Sequence, residues 1–174
     1  MEDKYSAIAR SLHWSIAALA ILLIIAGLIV RFDLVEKPLR SQIAFLHIGF
    51  GLTVLVLMLW RLGVRLTHRP PPLPETLPAR ERALAHAGHI GLYVLMLIMP
   101  VFGVLFVQAR DRVVSWFGLL DVPALIGKND AVHDVFAFLH FWGGMALIAL
   151  IVVHVGALVW HKRQGISLLP RMWG

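Results

Sequence analysis

Residues 135–161 read VFAFLHFWGGMALIALIVVHVGALVWH, a run without a single Asp, Glu, Lys or Arg. A helix crossing the hydrocarbon core needs about 20 residues. Lipid offers backbone groups no hydrogen-bond partner, so a helix is the expected state of such a run. The run holds His140 and His154, fourteen residues apart, with His133 and His161 a further seven on either side. Fourteen residues advance a helix about 21 Å and bring the side chain nearly back to one face. The drift is about 20° per seven residues, so all four imidazoles lie on one stripe.

Three more segments are free of charged residues: Ser11–Val30, Ser41–Trp60 and Ile90–Gln108. Composition agrees with four spans. Of the 174 residues, 59% are hydrophobic and 15% charged, and mean hydropathy is +0.80; soluble domains run near 25% charged. The expected class is an all-α integral membrane protein, a four-helix bundle forming one domain over residues 1–174. Absence of Cys excludes disulfides, iron–sulfur clusters, thiolate zinc and covalent haem attachment. The nine His are the stock of metal ligands. A net charge of +6 does not argue for nucleic acid, because Lys and Arg gather between the apolar runs.

Lys4 and Arg10 precede the first run as they would in a signal peptide. That run is long for a signal core, and no small-residue cleavage site follows before Arg31, so a retained span is expected. Lys4, Arg10, Arg61, Arg65, Arg69, Arg80, Arg82, Lys162, Arg163 and Arg171 would lie on one side. Arg31, Lys37, Arg40, Arg110, Arg112 and Lys128 would lie on the other. Ten against six places both termini in the cytoplasm. Pro100 should kink or locally unwind the third span. Pro70–Pro74 with Pro78 reads as a stiff extended linker, and Arg110–Asp130 as a segment with room for a short interfacial helix.

Ionisable side chains within spans are costly and face a bundle interior or a functional site. In antiparallel spans, His13 and His154 fall at one depth and His47 and His140 at another. Two facing pairs suit two six-coordinate, non-covalent b haems. A neutral imidazole can bind iron through one nitrogen while the other donates to an acceptor. Gly49, Gly51, Gly143, Gly144 and Gly156 beside these His would admit a porphyrin; close helix packing explains them equally. The alternative for each lone His is an interhelical hydrogen bond, and for the set, a transition-metal or proton-transfer site. His86 and His89 share a face at the start of the third span, where they would contact haem propionates or quinone or simply mark the interface. His161, with Trp160, Lys162 and Arg163, marks either a quinone head-group site or an ordinary membrane-edge anchor. His68 and His133 read as solvated or interfacial.

The stretches Lys4-Tyr5-Ser6, Ser11-Leu12-His13-Trp14, Leu46-His47-Ile48-Gly49 and Ala85-His86-Ala87-Gly88-His89, with His140, His154 and His161, resemble the bacterial cytochrome b561 family over essentially the whole chain. The resemblance implies a four-helix inner-membrane bundle with two b haems on His13, His47, His140 and His154. It further implies electron transfer between the quinone pool and the periplasmic face, with superoxide oxidation by ubiquinone as the expected activity. Basic residues on the outer side would draw in the anion if they cluster; lipid headgroups are their other natural contact. A haem-bearing anchor serving a periplasmic dehydrogenase or hydrogenase has the same helices. A His-lined proton or metal-ion transporter is the rival from another class, but no Asp or Glu lies deep in a span, where a proton relay needs one.

Overall fold

The computed structural model describes residues 4–68 and 70–173; Arg69, counted in the charge tally, lies outside them. Four helices carry the fold: α1 (Ala7–Arg31), α2 (Lys37–Thr67), α3 (Ala79–Gln108) and α4 (Asp130–Arg163). All four are long and apolar enough to cross a membrane, with mean hydropathy of 2.2 to 2.6 over their most apolar windows. Each outlasts its uncharged run. Charge limits how far a helix sits in hydrocarbon but does not stop the helix itself. The stretch Ala79-Arg80-Glu81-Arg82-Ala83-Leu84-Ala85 is made of strong helix formers, so α3 begins at Ala79 and not at Ile90.

Local signals set the ends. The Ser6 hydroxyl accepts from the Ala9 N–H at 3.3 Å, and the Asn129 side chain accepts from the Val132 N–H at 3.1 Å. Both satisfy N–H groups that the first helical turn leaves open. His161, Lys162 and Arg163 occupy the last turn of α4, where the helix dipole favours positive charge. No unwinding occurs at Pro100, through which α3 continues as helix.

α1 packs on α2 and α3 on α4, and α2 against α3 joins the two hairpins. The buried core runs from the level of His13 up to mid-height: Leu12, Ile16 and Ala20 from α1, Val54 and Met58 from α2, Met96 from α3 and Leu147 from α4, of which Ala20, Val54, Met96 and Leu147 form the mid-height layer. Leu147 lies midway between His140 and His154, so this layer separates the two histidine levels.

One end of the bundle collects both termini and the α2–α3 connection. The Tyr5 N–H donates to the Arg171 carbonyl at 3.1 Å, and Trp14 Nε1–H donates to the Met172 carbonyl at 2.8 Å. The Arg171 guanidinium donates to the Pro72 carbonyl at 2.6 Å. A short 3₁₀ turn, Leu169–Arg171, delivers these contacts. We refer to this as the terminal end.

The opposite, hairpin end departs from expectation. Residues 110–130 form no interfacial helix; strand β1 (Ser115–Trp116) pairs antiparallel with β2 (Leu120–Asp121). Phe117 and Gly118 turn between them with φ of +54° and +74°, a left-handed conformation that a helix excludes. The buried Gln108 pins the loop: its side chain donates to the Pro123 carbonyl at 2.9 Å and accepts from the Leu125 N–H at 3.0 Å. The Phe117 ring lies flat on Gly49, where a Cβ would collide with it. Trp116 Nε1–H donates to the Thr53 hydroxyl at 3.0 Å.

Candidate functional site

The antiparallel hairpins bring four histidines together in pairs from different helices. At the hairpin end, His47 of α2 and His140 of α4 face one another with ring centroids 6.0 Å apart and planes inclined by 74°. At the terminal end, His13 of α1 and His154 of α4 are 6.5 Å apart and inclined by 61°. Two imidazoles that share one metal, each with a metal–nitrogen bond of about 2 Å, have centroids roughly 6 Å apart. Both pairs meet that spacing.

Each pair lines its own cavity. The hairpin-end cavity, about 580 Å³, is walled by apolar residues of all four helices, and its floor is Ala20, Val54, Met96 and Leu147 from the mid-height layer. Arg31 and Arg112 are also in its wall. The terminal-end cavity, about 380 Å³, is more polar: His13, His89 and His154 share it with Lys4, Arg61, Arg65, His68 and Tyr93. Both volumes fall in the range of small-molecule sites, roughly 300–1,000 Å³.

The chemistry of this donor set is informative. No group of three or more metal-ligating side chains that would hold a bare cation occurs among the described residues. Two imidazoles are too few for a free metal ion, yet they complete six coordination around an iron that brings four ring nitrogens. Basic side chains in an otherwise apolar wall suit the carboxylates of such a macrocycle.

Of the two hairpin-end imidazoles, His140 is oriented by backbone. His140 Nδ1 lies 3.0 Å from the Met99 carbonyl. A carbonyl only accepts, so Nδ1 carries the hydrogen and Nε2 keeps its lone pair for a metal. His47 Nδ1 is buried without a hydrogen-bond partner. At the terminal end, Arg61 ties three helices together: its Nε–H donates to the Tyr93 hydroxyl and its NH1 to the Ala9 carbonyl, each at 3.0 Å. Arg65 lies over the Tyr93 ring at 5.2 Å.

A profile of the family described as prokaryotic cytochrome b561 matches residues 4–174. The chain belongs to the cytochrome b561 family. It is 30% identical over 174 residues to cytochrome b561 homolog 2 of Escherichia coli K12, covering 99% of this chain and 92% of the relative. It is 26% identical over 175 residues to the probable superoxide oxidase CybB of Yersinia pestis, covering 99% and 97%. As a cytochrome b561, the chain is a multi-pass, lipid-embedded protein of haem b electron transfer.

The remaining histidines separate by position. His89 lines the terminal-end cavity with its ring 5.6 Å from that of His154, a third imidazole beside the pair. His86, on the same helix, is exposed and lines neither cavity. His161 is buried at 8% exposure and faces Glu81 of α3, Nδ1 to Oε2 at 3.6 Å; neither atom has a hydrogen-bond partner. His133 contacts Asp134 at 2.9 Å near the hairpin end. The expected glycines also divide. Gly51 and Gly144 line the hairpin-end cavity, whereas Gly49 is covered by Phe117 and Gly143 by the Met99 sulfur.

The basic residues of the hairpin end do not act as one group. Arg40 pairs with Asp33, and Arg110 lies 3.3 Å from Asp130 and 3.8 Å from Asp134. Arg31 and Arg112 belong to the cavity. Arg61, Arg65 and Tyr93 were not singled out from sequence as site residues. Their signal was present, since two Arg one turn apart follow an apolar run and a Tyr lies within another, but nothing in one chain shows that they converge.

Proposed function

We propose that this cytochrome b561 binds two b haems, on His47–His140 and His13–His154, and oxidises superoxide with ubiquinone as acceptor. The observation that carries the proposal is the spacing of the two pairs, 6.0 and 6.5 Å, on opposite sides of an apolar layer. When bound, haem supplies the one-electron redox chemistry. Two superoxide anions each give up one electron and leave as dioxygen; one ubiquinone takes both electrons and two protons and leaves as ubiquinol. The likeness to a probable superoxide oxidase supports this choice of donor.

The chain's own residues position and select. In the orientation expected from basic-residue counts, with both termini cytoplasmic in a bacterial inner membrane, the hairpin end is periplasmic. Arg31 and Arg112 would then hold the carboxylates of a macrocycle bound there, and their positive charge favours an approaching anion. Ala20, Val54, Met96 and Leu147 keep water from passing between the levels. At the cytoplasmic side, Arg61, Arg65 and His89 supply polar contacts for propionates or the quinone head group. His161, buried but outside both cavities, lies 3.6 Å from the part-exposed Glu81 carboxylate, and the two offer a place to hold a proton on the way to the quinone. His86, exposed outside both cavities, receives no contact here.

The test is stopped-flow mixing of purified, haem-loaded protein with superoxide and a short-chain ubiquinone. Two superoxide consumed per ubiquinol formed, by the chain alone, is the expected result. Activity that appears only with a co-purifying subunit would overturn it in favour of a membrane anchor. In the same assay His161→Ala should slow ubiquinol formation several-fold with both haem signals retained.

A further inference from the structure

The two hairpins meet their ligands in the same way. His47 of α2 lies against Gly27 of α1, where an added Cβ would stand 3.3 Å from Cε1 and 3.7 Å from Nδ1. His140 of α4 lies against Gly103 of α3, where a Cβ would stand 3.1 Å from Cε1 and 3.4 Å from Nδ1. Each imidazole thus rests on the bare backbone of the helix preceding its own. The consequence is visible in one case: the Met99 carbonyl, four residues before Gly103, accepts from His140 Nδ1 at 3.0 Å. The Met99 side chain is in turn seated on Gly143, so the carbonyl and its partner helix are held in register. For His47 the equivalent position is Leu23, four residues before Gly27, and the buried Nδ1 points to no full partner. Both glycines line the hairpin-end cavity. No histidine approaches a glycine in this way at the terminal end among the described residues.

We infer that Gly27 and Gly103 are positioning residues for the hairpin-end haem: their missing side chains let each axial imidazole settle on the neighbouring backbone, which fixes its tilt and, through Met99, its tautomer. This rests on the ligand assignment proposed above. An acceptor on the distal nitrogen makes an imidazole a more basic ligand. Crowding by a methyl group loosens the His140–Met99 bond, makes the ligand less basic and raises the midpoint potential of that haem alone.

The test uses full-length, haem-loaded protein carrying Gly103→Ala, Gly27→Ala or Gly88→Ala, with His140→Ala marking which haem signal belongs to the hairpin end. Gly88 has nothing within 4 Å of an added Cβ and controls for the substitution itself. The readouts are a spectroelectrochemical titration and the low-temperature electron paramagnetic resonance of the oxidised protein. In Gly103→Ala the expected result is an upward shift of the midpoint and a changed principal g-value for the signal that His140→Ala removes. The other haem should stay at its wild-type values, and Gly88→Ala should leave both unchanged. Selective loss of the hairpin-end haem in Gly103→Ala, with the other retained, equally supports the inference. Should Gly103→Ala bind no haem at all, Gly27→Ala decides by the same criteria. Wild-type midpoint and g-values in both Gly103→Ala and Gly27→Ala would overturn the inference. A wild-type protein that lacks any signal dependent on His140 would instead overturn the ligand assignment.

Discussion

The two histidine levels share helix α4 and little else. At the hairpin end two imidazoles face each other alone, each against a bare stretch of neighbouring helix, in a large apolar cavity with two arginines. At the terminal end four imidazoles, His13, His68, His89 and His154, line a smaller cavity with Arg61, Arg65 and Tyr93. One cavity offers only two arginines and two imidazoles in an apolar wall. The other has more polar contacts, which under the proposed function would serve an exchanging quinone head group.

The strongest way to break this contrast is to remove its ligands. His47→Ala or His140→Ala should abolish the hairpin-end haem and lower the content from about two to about one per chain, since the proposed pair would be its only protein ligands. His154→Ala should do the same at the terminal end. A pyridine haemochrome assay against protein concentration measures both. Equal loss of both haems from a folded single mutant would show that the levels are not separate sites.

A subtler comparison concerns the third imidazole. His13→Ala should lose the terminal-end haem, whereas His89→Ala should retain it and shift its reduced absorption band or its potential. The reverse outcome would make His89 the axial partner of His154, which its 5.6 Å separation makes geometrically reasonable.

The smallest effect belongs to the hairpin over α2. Gly49→Ala forces the Phe117 ring off the helix and should cost about 1–3 kcal/mol, as overpacking does. Thermal unfolding in detergent would record it. A perturbation confined to the hairpin-end haem would sharpen the contrast further; an unchanged melting temperature would show that the loop is loosely held.

Much of this arrangement was legible in the chain. Uncharged runs disclose helices because lipid tolerates few charges, and the fourteen-residue interval from His140 to His154 places two imidazoles on one face whatever surrounds them. The family and the four spans followed, and both stand. What stayed hidden depends on contacts between helices. Gly49 and Gly51 look equivalent in sequence, yet one supports Phe117 and the other lines a cavity. Gly27 and Gly103 drew no notice because neither is near a histidine in sequence. His161 faces Glu81, a residue nearly half the chain away, a contact that spacing along one helix does not disclose. The β-hairpin was missed because hydrophobic periodicity says little about a loop whose shape comes from two left-handed residues and a buried glutamine.

The apolar layer of Ala20, Val54, Met96 and Leu147 has an electrical meaning as well as a packing one. Its low dielectric is where much of a membrane's voltage drop falls, and the two histidine levels stand on either side of it, about 21 Å apart along α4. A unit charge carried across a whole membrane exchanges about 2.3 kcal/mol with the field per 100 mV. An electron passing between the two levels covers a large fraction of that path. Under the proposed function the driving force would therefore be tied to how strongly the membrane is polarised, a dependence that two sites at the same depth would not have.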